Sequence, residues 1–469
     1  MLRSVRYLAL LAILVSFATG LWTWRRSPPP LPCRDCNVLL VSIDTLRADH
    51  LTVYGYERPT SPFLETLAQD AVVFERVFNH GGFTLPEHVA MLTSIPPGVH
   101  GIVKIDQALE PERVTLAEQL QDGGHRTAAF TDGAWMSAHF GFDQGFESYD
   151  DAGGGLIETL PKALAWIEAH RHEPWFLFLH TYDVHTRASG QPYDCPGDWG
   201  ERFLPRTGEP EQICAGERCG VAALTWMVRR RRRDTSFPLH DHVTPYQIEV
   251  LKAEYDGCIR WVDARLRELV DHLKTWGLYE RTAIVVTSDH GEKFLEHDQL
   301  LHDGEPFDEL VRVPLLMKLP GSRHGGRRID VLVSSIDTMP TVLSALGVPV
   351  NDDALGHDLL PLLGEGLPRR QLVHVGRGVR TGRWKLIKGR TGRKDSLYDL
   401  DADPDEHKDV AHHHRQQVRG LAQAEALIRE RERSRYEEFQ NRLKGRARPR
   451  RPQPTADEIQ RLRALGYLD

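Results

Sequence analysis

The sequence has no excess of positive charge, no internal repeat and little cysteine, and these absences exclude several classes of protein. Its 59 Lys and Arg residues are outnumbered by 66 Asp and Glu, which gives a formal net charge of -7. A generally basic nucleic-acid-binding protein is therefore excluded, and no nucleic-acid partner is expected. What is present, 41% hydrophobic and 27% charged residues over 469 positions, suits one large domain with an added subdomain.

Only one stretch is long and apolar enough to be considered as a membrane span. Residues 7–24 carry no charge and are flanked by arginines on both sides. A span needs roughly 17–25 apolar residues, whereas a cleaved secretory signal has a shorter apolar region of about 7–15. We therefore expect an uncleaved membrane anchor, with a cleaved signal as the alternative. Either one predicts an exported protein whose folded part is periplasmic or extracellular.

The six cysteines are consistent with export. An even number in an exported chain predicts disulfides, whose pairing the sequence alone does not determine. Cys33 and Cys36 form a CxxC motif that could also be half of a zinc ribbon or a redox pair, but the chain has no second CxxC. We expect Cys33 to pair with Cys36. The other four are expected to pair among themselves: Cys195, Cys214, Cys219 and Cys258.

Short, continuous apolar runs alternate with stretches of helical period from residue 37 onward. Runs such as NVLLVSI and WFLFL predict strands that are buried on both faces. The predicted strands are 37–43, 127–130, 175–179 and 283–287, and the predicted helices are 61–71, 116–123, 156–170 and 245–276. This alternation predicts an α/β fold with a large, mostly parallel sheet flanked by helices.

Acidic residues and histidines follow all four predicted strands. In chain order they are Asp44, Asp132, Asp183, His185, Asp289 and His290. Ligands of open α/β sheets bind at the carboxyl ends of the strands, so we expect these side chains to converge. A single Asp in such a place could instead cap the next helix. Because the pattern recurs at four strand ends, a hard-metal site is the favoured interpretation.

The sequence pattern changes after about residue 370. Short strands are expected at 371–376, 383–388 and 396–400, followed by a long charged helix to about 444, a linker at 446–454 and a short helix at 457–467. We therefore divide the chain into an anchor and Pro-rich linker at 1–36, the large α/β domain at 37–370, and a small C-terminal α+β subdomain with a helical tail at 371–469. A long loop is expected at 186–245, with a solvated run of five arginines at 229–233.

An ordered set of motifs resembles a known family. The motifs are VSIDTLRADHLTVYGY at 41–56, FTLPEHVAMLTS at 83–94, HG at 100–101, FLFLHTYDVH at 176–185, TSDHGE at 287–292, SIDTMPTVLSALG at 335–347 and LYDLDADPDE at 397–406. In this order, over about residues 37–411, they resemble the sulfatase branch of the alkaline phosphatase superfamily. The resemblance implies the alkaline phosphatase/sulfatase-like fold and a metal-dependent ester hydrolase.

The resemblance also implies a ligand set. Asp44 matches the first metal-binding Asp of the family, and Asp289 with His290 matches its later Asp-Asn or Asp-His pair. Thr84 lies where sulfatases place their nucleophile. Three oxygens and one nitrogen fit one divalent cation, and this mixed set of four favours zinc. Calcium, which is usual in sulfatases and prefers more oxygen ligands, and manganese are the alternatives.

Several departures from the family's motifs bear on the chemistry. Sulfatases oxidise a Cys or Ser to formylglycine, whereas oxidation of Thr84 would give a ketone. Thr45 replaces the second Asp of the family, His88 replaces its Arg, and TDGA at 131–134 replaces its Lys-x-His. Formylglycine-dependent sulfate hydrolysis is therefore not expected. Threonine is, by contrast, the nucleophile of phosphodiesterases and phosphoethanolamine transferases of the superfamily, where a metal assists its hydroxyl.

Thr84 could also be an ordinary helix cap before a proline. Three histidines are candidates for catalysis beside it. His185 matches the family's histidine after the third predicted strand, and His302 matches its downstream Lys or His. His88 lies one helical turn from Thr84. Each could bind the substrate oxyanion, protonate the leaving oxygen or activate water.

These observations predict an exported, anchored hydrolase that acts on phosphate or sulfate esters, with phosphoesters preferred. The expected partners are an anionic ester (a lipid headgroup, a glycan or a small molecule) and the membrane, through the N-terminal segment. The first alternative is a phosphotransferase acting on lipid or glycan. The second is a catalytically inactive binding protein of the same fold.

Overall fold

The computed structural model describes residues 32–186, 192–205, 213–216, 218–234, 236–302, 304–364, 370–390, 392–444 and 455–464. The anchor predicted at 7–24 lies outside these ranges. Within them, no helix combines the length and the apolar character that crossing a membrane requires.

The strands of the described chain belong to one large sheet and three small ones. They are β1 (Asn37–Ile43), β2 (Val72–Phe78), β3 (Arg126–Phe130), β4 (Ser148–Asp150), β5 (Trp175–Thr181), β6 (Cys214–Ala215), β7 (Arg218–Cys219), β8 (Thr282–Thr287), β9 (Lys293–Phe294), β10 (Leu300–Leu301), β11 (Arg312–Lys318), β12 (Arg328–Ser334), β13 (Leu372–Val375), β14 (Gly378–Thr381), β15 (Trp384–Ile387) and β16 (Ser396–Asp399).

The α-helices lie mostly between these strands. They are α1 (Pro62–Leu67), α2 (Thr84–Thr93), α3 (Pro97–His100), α4 (Leu116–Asp122), α5 (Leu156–Ala169), α6 (Val221–Arg233), α7 (Pro245–Thr275), α8 (Asp308–Val311), α9 (Thr338–Leu346), α10 (Arg415–Arg442) and α11 (Ala456–Ala464).

The large sheet has eight strands in the order β12-β2-β11-β8-β1-β5-β3-β4. β1 pairs in parallel with both β5 and β8, and only β11 runs antiparallel to its two neighbours. Leu39 and Val41 of β1 belong to the core on one face, while Val38 and Leu40 belong to the core on the other. Helices therefore cover both faces, and the predicted fold class is confirmed.

Four strands of the large sheet were not predicted, for identifiable reasons. Glu75 and Arg76 interrupt the apolar run of β2. Pro314 lies in β11, at the point where its register with β2 shifts. β4 is only three residues long, and β12 begins with two charged residues among its first three. Each of these features weakens the continuous apolar pattern on which the predictions relied.

The C-terminal part contains a four-stranded antiparallel sheet, β13 to β16, against which the long helix α10 packs. The subdomain is tied to the main domain by a buried ion cluster. The Lys385 Nζ lies 2.8 Å from Asp308 Oδ1 and 2.9 Å from Glu406 Oε1. Leu462 of the tail helix α11 is fully buried in the core of the main domain.

The segment predicted as one long loop, 186–245, contains regular structure. β6 and β7 form a short hairpin, and α6 follows it. Ala223, Leu224 and Met227 of α6 are buried in the core, and this buried face explains why the segment folds into a helix. The five arginines at 229–233 end this helix rather than lying in a loop.

Two disulfides are present, and one predicted pairing is wrong. Cys33 is bonded to Cys36 and Cys214 to Cys219, as expected. Cys195 and Cys258 are buried free thiols, although the two side chains lie within hydrogen-bonding reach of each other. Burial, and next the neighbouring Cys195, raises the pKa of the Cys258 thiol well above its ordinary value. Because the thiolate is the reactive form, this environment disfavours oxidation.

Candidate active site

The predicted ligands meet at the carboxyl ends of β1 and β8. Asp44 directly follows β1, the pair Asp289-His290 follows β8, and Thr84 is the first residue of α2. The ligand atoms of Asp44, Asp289 and His290 all lie within 4.8 Å of one another. The Thr84 hydroxyl donates a hydrogen bond of 3.1 Å to Asp44 Oδ2 and lies 3.5 Å from His290 Nε2. The structure thus brings the four predicted residues together.

Each of the two carboxylates of this site has one oxygen without a hydrogen-bond donor. Asp44 Oδ1 and Asp289 Oδ2 are buried and accept no hydrogen bond from any described residue. Burial, and next the Asp289 carboxylate, raises the pKa of Asp44 well above its usual value. Burial opposes the charge of Asp289 too, but His290 and His88 outweigh it and lower its pKa. Two buried carboxylates in contact are costly unless a cation binds them.

His290 has the orientation of a metal ligand. Its Nδ1 lies 3.0 Å from the Gly291 carbonyl oxygen, which can only accept, so Nδ1 carries the proton. The lone pair is therefore on Nε2, which lies 3.4 Å from Asp289 Oδ2. Metal-binding histidines usually fix their tautomer by such a bond. Together with the unpartnered carboxylate oxygens, this donor set fits one divalent cation.

His88 supports Thr84 from inside the protein instead of facing the open side of the site. Its Nδ1 donates to the Thr84 carbonyl oxygen at 2.9 Å, and its Nε2 accepts from the Ser42 hydroxyl at 2.8 Å. Nδ1 also lies 3.7 Å from Asp289 Oδ2. Burial lowers the pKa of His88. Because both ring nitrogens are bonded, direct contact with a substrate, one of the roles expected from the sequence, would require breaking one of these bonds.

His185 and His302 lie on the other side of the ligand cluster. His185 Nδ1 donates to the Thr186 carbonyl oxygen at 2.5 Å, which leaves the Nε2 lone pair 4.0 Å from Asp44 Oδ1. Burial, and next His302, lowers the pKa of His185 well below its usual value. The His302 ring lies 4.8 Å from that of His185 and 5.1 Å from that of His290. These two histidines therefore lie beside the predicted ligands Asp44 and His290.

One histidine of the site was missed by sequence reasoning. His180, in the quoted motif FLFLHTYDVH, lies in β5 with its Nε2 3.6 Å from Asp44 Oδ2. It is fully buried, and burial lowers its pKa well below the usual value. The available signal was a histidine inside an otherwise apolar buried strand. The sequence analysis considered only residues that follow strands.

Asp132 and Asp183 do not join the metal-binding cluster, which corrects the expectation that all strand-end acids converge. Asp132 Oδ1 accepts from the Gly155 backbone N–H and Asp183 Oδ2 from that of Leu156, both at 2.7 Å. These N–H groups belong to the start of α5. The two carboxylates therefore bind a helix N-terminus, the role that any single Asp could have had.

Thr45, which replaces the second Asp of the family, adopts a left-handed backbone conformation with φ of 57°. This conformation is uncommon for a β-branched residue. The Thr45 N–H approaches Asp289 Oδ1 at 3.3 Å, and its hydroxyl donates to the Val184 carbonyl oxygen at 3.1 Å. The side chain therefore holds the loop that carries His185 and points away from the ligand atoms.

Known proteins share these features. Residues 36–348 match the family model described as Sulfatase, and residues 305–432 match that described as N-sulphoglucosamine sulphohydrolase, C-terminal. The multifunctional alkaline phosphatase superfamily protein PehA of Trinickia caryophylli is 37% identical over 409 residues, which cover 71% of this chain and 78% of PehA. Arylsulfatase K of Gallus gallus is 25% identical over 437 residues, which cover 82% of this chain and 80% of that protein.

Solved structures share the fold. The phosphonate monoester hydrolase of Agrobacterium radiobacter superposes with a TM-score of 0.64 at 22% identity, covering 85% of this chain and 96% of that one. A 2-O GAG sulfatase gives a TM-score of 0.67 at 16% identity, covering 87% and 94%. Because the Sulfatase family model spans more than half of the sequence, the chain belongs to the sulfatase family of ester hydrolases.

Proposed function

We propose that this protein hydrolyses phosphoric or phosphonic esters that carry a single negative charge, with Thr84 as the nucleophile and one divalent cation as cofactor. The observation that carries the proposal is the Thr84 hydroxyl, which lies within hydrogen-bonding distance of Asp44 and His290. Asp44, Thr84, Asp289 and His290 would hold the cation, with zinc favoured by the number and type of donors.

Threonine at this position favours direct attack on phosphorus. Thr84 has a methyl group on the carbon that bears the hydroxyl, so it cannot become the aldehyde that sulfatases use. A cation bound at the site would supply the positive charge that makes the hydroxyl a better nucleophile and balances the charge of the ester. The hydrogen bond to Asp44 orients the Thr84 oxygen, and the Asp44 carboxylate can take up its proton as that oxygen attacks phosphorus. The attack would break the bond from phosphorus to one alcohol, which leaves, and would join the remaining phosphoryl or phosphonyl group to Thr84. Water would then break the bond between phosphorus and Thr84 and release the acid.

His185 and His302 are the proposed proton carriers. His185 presents the Nε2 lone pair toward the ligand cluster, because its Nδ1 is bonded to a backbone carbonyl. The His302 side chain is 16% exposed and is the more accessible of the two. We assign His185, whose Nε2 can accept a proton, to the attacking water and His302 to the leaving oxygen.

The charges of the site support the choice of a singly charged ester. Asp44, Asp289 and Glu292 bring three fully buried carboxylates to this edge of the sheet. Burial lowers the pKa values of His88, His180 and His185 and so disfavours their charged forms. Among the described residues, no Lys or Arg forms an ion pair with Asp44 or Asp289. A dianionic phosphate monoester would therefore meet more uncompensated negative charge than a diester or a phosphonate monoester.

Similarity to named proteins supports the same class. One structural neighbour is named a phosphonate monoester hydrolase, and PehA is named multifunctional. The relatives also include arylsulfatase K and a GAG sulfatase, which keeps sulfate esters and glycans as substrates to be tested. Export remains part of the proposal, supported by two disulfides, as does anchoring through the N-terminal segment.

Matched substrates test this proposal. The full-length protein, loaded with zinc, manganese or calcium, is assayed on four esters of p-nitrophenol: a sulfate, a phosphate monoester, a phosphate diester and a phosphonate monoester. We expect the diester and the phosphonate monoester to react fastest. Quenched reactions should contain a Thr84 peptide that carries the group left on phosphorus after one p-nitrophenol has departed, a substituted phosphoryl group from the diester and a phosphonyl group from the phosphonate monoester. Faster hydrolysis of the sulfate would overturn the choice of substrate. No turnover of any ester by metal-loaded protein would favour the inactive binding protein.

A second experiment tests whether the site can still use the formylglycine nucleophile of sulfatases. Thr84→Cys is produced together with a formylglycine-generating enzyme. A phosphoester hydrolase should lose its activity in this variant. Recovery of sulfate hydrolysis would instead indicate a sulfatase whose nucleophile has been replaced. His88, in place of the family's Arg, makes us expect the loss.

A further inference from the structure

His180 is a fully buried histidine for which the fold provides no hydrogen bond. Its relative exposure is 0%, and neither ring nitrogen has a hydrogen-bond partner among the described residues. Most buried polar side chains are satisfied, and an unsatisfied one is destabilising. A leucine or methionine could fill a similar volume in β5 without this cost. The presence of an imidazole therefore calls for a functional reason.

The surroundings of His180 leave one polar neighbour in reach. In the sheet, His180 of β5 is the register partner of Ser42 of β1, two residues before Asp44. The ring packs edge-on against His88, at 4.9 Å, and Tyr182, at 4.7 Å. Its Nε2 points toward Asp44 Oδ2, at 3.6 Å. A shift of about 0.7 Å would bring this pair to the usual hydrogen-bond length of about 2.9 Å.

The reaction itself would change the partners of that oxygen. Asp44 Oδ2 accepts from the Thr84 hydroxyl, while Oδ1 has no hydrogen-bond partner among the described residues and lies 4.0 Å from His185 Nε2. Once Thr84 is esterified or binds a cation through its oxygen, it has no proton to donate to Oδ2. The His180 Nε2, which lies 3.6 Å from Oδ2, is placed to donate a hydrogen bond instead. Carboxylates that bind metals are themselves usually hydrogen-bonded through their second oxygen.

We propose that His180 is a positioning residue that donates its Nε2–H to Asp44 Oδ2 and thereby holds Asp44 Oδ1 toward the cation. The inference rests on the proposed function, because it assigns Asp44 as a ligand. His180 contacts neither substrate nor cation in this arrangement and acts only through Asp44. It completes a layer beneath the ligands in which His88 supports Thr84 and His180 supports Asp44.

Two substitutions separate hydrogen bonding from packing. His180→Leu removes the donor and keeps the volume, whereas His180→Gln places an amide N–H near the position of Nε2. We expect His180→Leu to weaken zinc binding by about 10–100-fold in chelator competition and His180→Gln to restore most of the affinity. In zinc-free protein, His180→Leu should melt at the wild-type temperature or above it, because it removes a buried unsatisfied group.

A control shows whether any buried histidine would behave in the same way. His125 is buried and far from the site, and its two nitrogens bind the carbonyl oxygens of Leu120 and Cys36. His125→Leu should lower the melting temperature and leave zinc affinity unchanged. If His180→Leu does not fold, His180→Met takes its place, because methionine adapts to irregular space.

The outcomes distinguish this inference from the proposed function. Wild-type zinc affinity in the Leu or Met variant, or equal losses for the apolar and the Gln variants, would overturn the role of His180 while leaving the proposed hydrolysis intact. If the wild-type protein binds no divalent cation, both the role of His180 and the proposed function are overturned. Loss of affinity in the Leu variant, recovered in the Gln variant, supports the hydrogen bond.

Discussion

Two pairs of acidic residues lie at the same edge of the large sheet and have opposite environments. Asp44 and Asp289 follow the neighbouring strands β1 and β8, whereas Asp132 and Asp183 follow the neighbouring strands β3 and β5. Asp44, Asp289 and Asp183 are buried and Asp132 is partly buried, and both pairs come from similar sequence patterns. Asp132 and Asp183 accept several hydrogen bonds from backbone and hydroxyl groups, while each residue of the other pair keeps an oxygen without a donor. The protein itself supplies donors to Asp132 and Asp183, whereas we propose that a cation completes Asp44 and Asp289.

The comparison shows that the surrounding donors, more than the carboxylates themselves, decide between a structural and a functional role. The Thr181 hydroxyl oxygen lies 3.0 Å from Asp132 Oδ2 and 2.7 Å from Asp183 Oδ2, so its one proton can be donated to either carboxylate. Burial, and next Asp183, still raises the pKa of Asp132 to about 7. Two neighbouring carboxylates therefore repel each other even when both accept hydrogen bonds. The following experiments compare the two pairs, from the largest expected effect to the smallest.

Removal of the Thr84 hydroxyl should have the largest effect on activity. We expect Thr84→Ala to lower kcat by several orders of magnitude with an unchanged melting temperature, and Thr84→Ser to retain part of the activity because it keeps a hydroxyl. Steady-state kinetics on the best ester measure both. Comparable activity in the Ala variant and the wild type would show that Thr84 is not the nucleophile.

A substitution in the Asp44–Asp289 pair should abolish cation binding, whereas a substitution in the Asp132–Asp183 pair should leave it unchanged. Asp289→Ala should lose bound zinc and activity, and its loss should not add to that of Thr84→Ala, because both act at one site. Excess zinc at about 100 times Kd should stabilise the wild type by about 2.7 kcal/mol and leave Asp289→Ala unaffected. Asp132→Asn is the matched control and should bind zinc normally. Metal analysis and thermal unfolding with and without zinc provide the readouts.

The pH dependence of stability should report on the Asp132–Asp183 pair. Folding raises the pKa of Asp132 from 3.8 to about 7, so the folded protein keeps this proton where the unfolded chain has lost it. Stability should therefore fall as pH rises from about 4 to 7, by up to about 4 kcal/mol, and then level off. Asp132→Asn should flatten this part of the profile. Urea unfolding of zinc-saturated protein measures it, and identical profiles would contradict the raised pKa.

Removal of the Thr181 hydroxyl should have the smallest effect on stability. Thr181→Val keeps the shape of the side chain but removes the donor shared by Asp132 and Asp183. We expect a loss of about 1–2 kcal/mol in the free energy of unfolding, with zinc binding unchanged. A loss of zinc affinity in this variant would mean that the two pairs are not independent.

The ligand set was predictable because it depends on strand ends. Asp44 and Asp289 each follow an uninterrupted apolar run, so topology alone brings them to one edge. The pairing of Asp132 with α5 was not predictable in the same way. It depends on a glycine run at 153–155 that turns the chain so that the helix N-terminus meets both acids; a Cβ at Gly155 would lie 2.3 Å from Asp183 Oδ1. Nothing in the spacing of the acids reveals that turn.

The inner layer of the site was harder to predict for a different reason. His180 lies within a strand, and which of its neighbours it touches depends on the register of β5 with β1. The antiparallel strand β11 was not predicted either, because its proline interrupts the apolar run. Local apolar runs were sufficient to predict the parallel strands. Which side chains pack beneath the predicted ligands depends on the pairing register of distant strands, which local runs do not reveal.

The left-handed backbone at Thr45 has a consequence for how this site could evolve. Replacing Thr45 by Asp would restore the second acid of the family in sequence, yet the side chain at this position points to the carbonyl oxygen of Val184. A carboxylate there would face a like partial charge and lose the bond that holds the loop before His185. The segment around residue 45 would have to change its path before a second acidic ligand could be used. We therefore expect that replacing Thr45 by Asp alone does not supply a second acidic ligand.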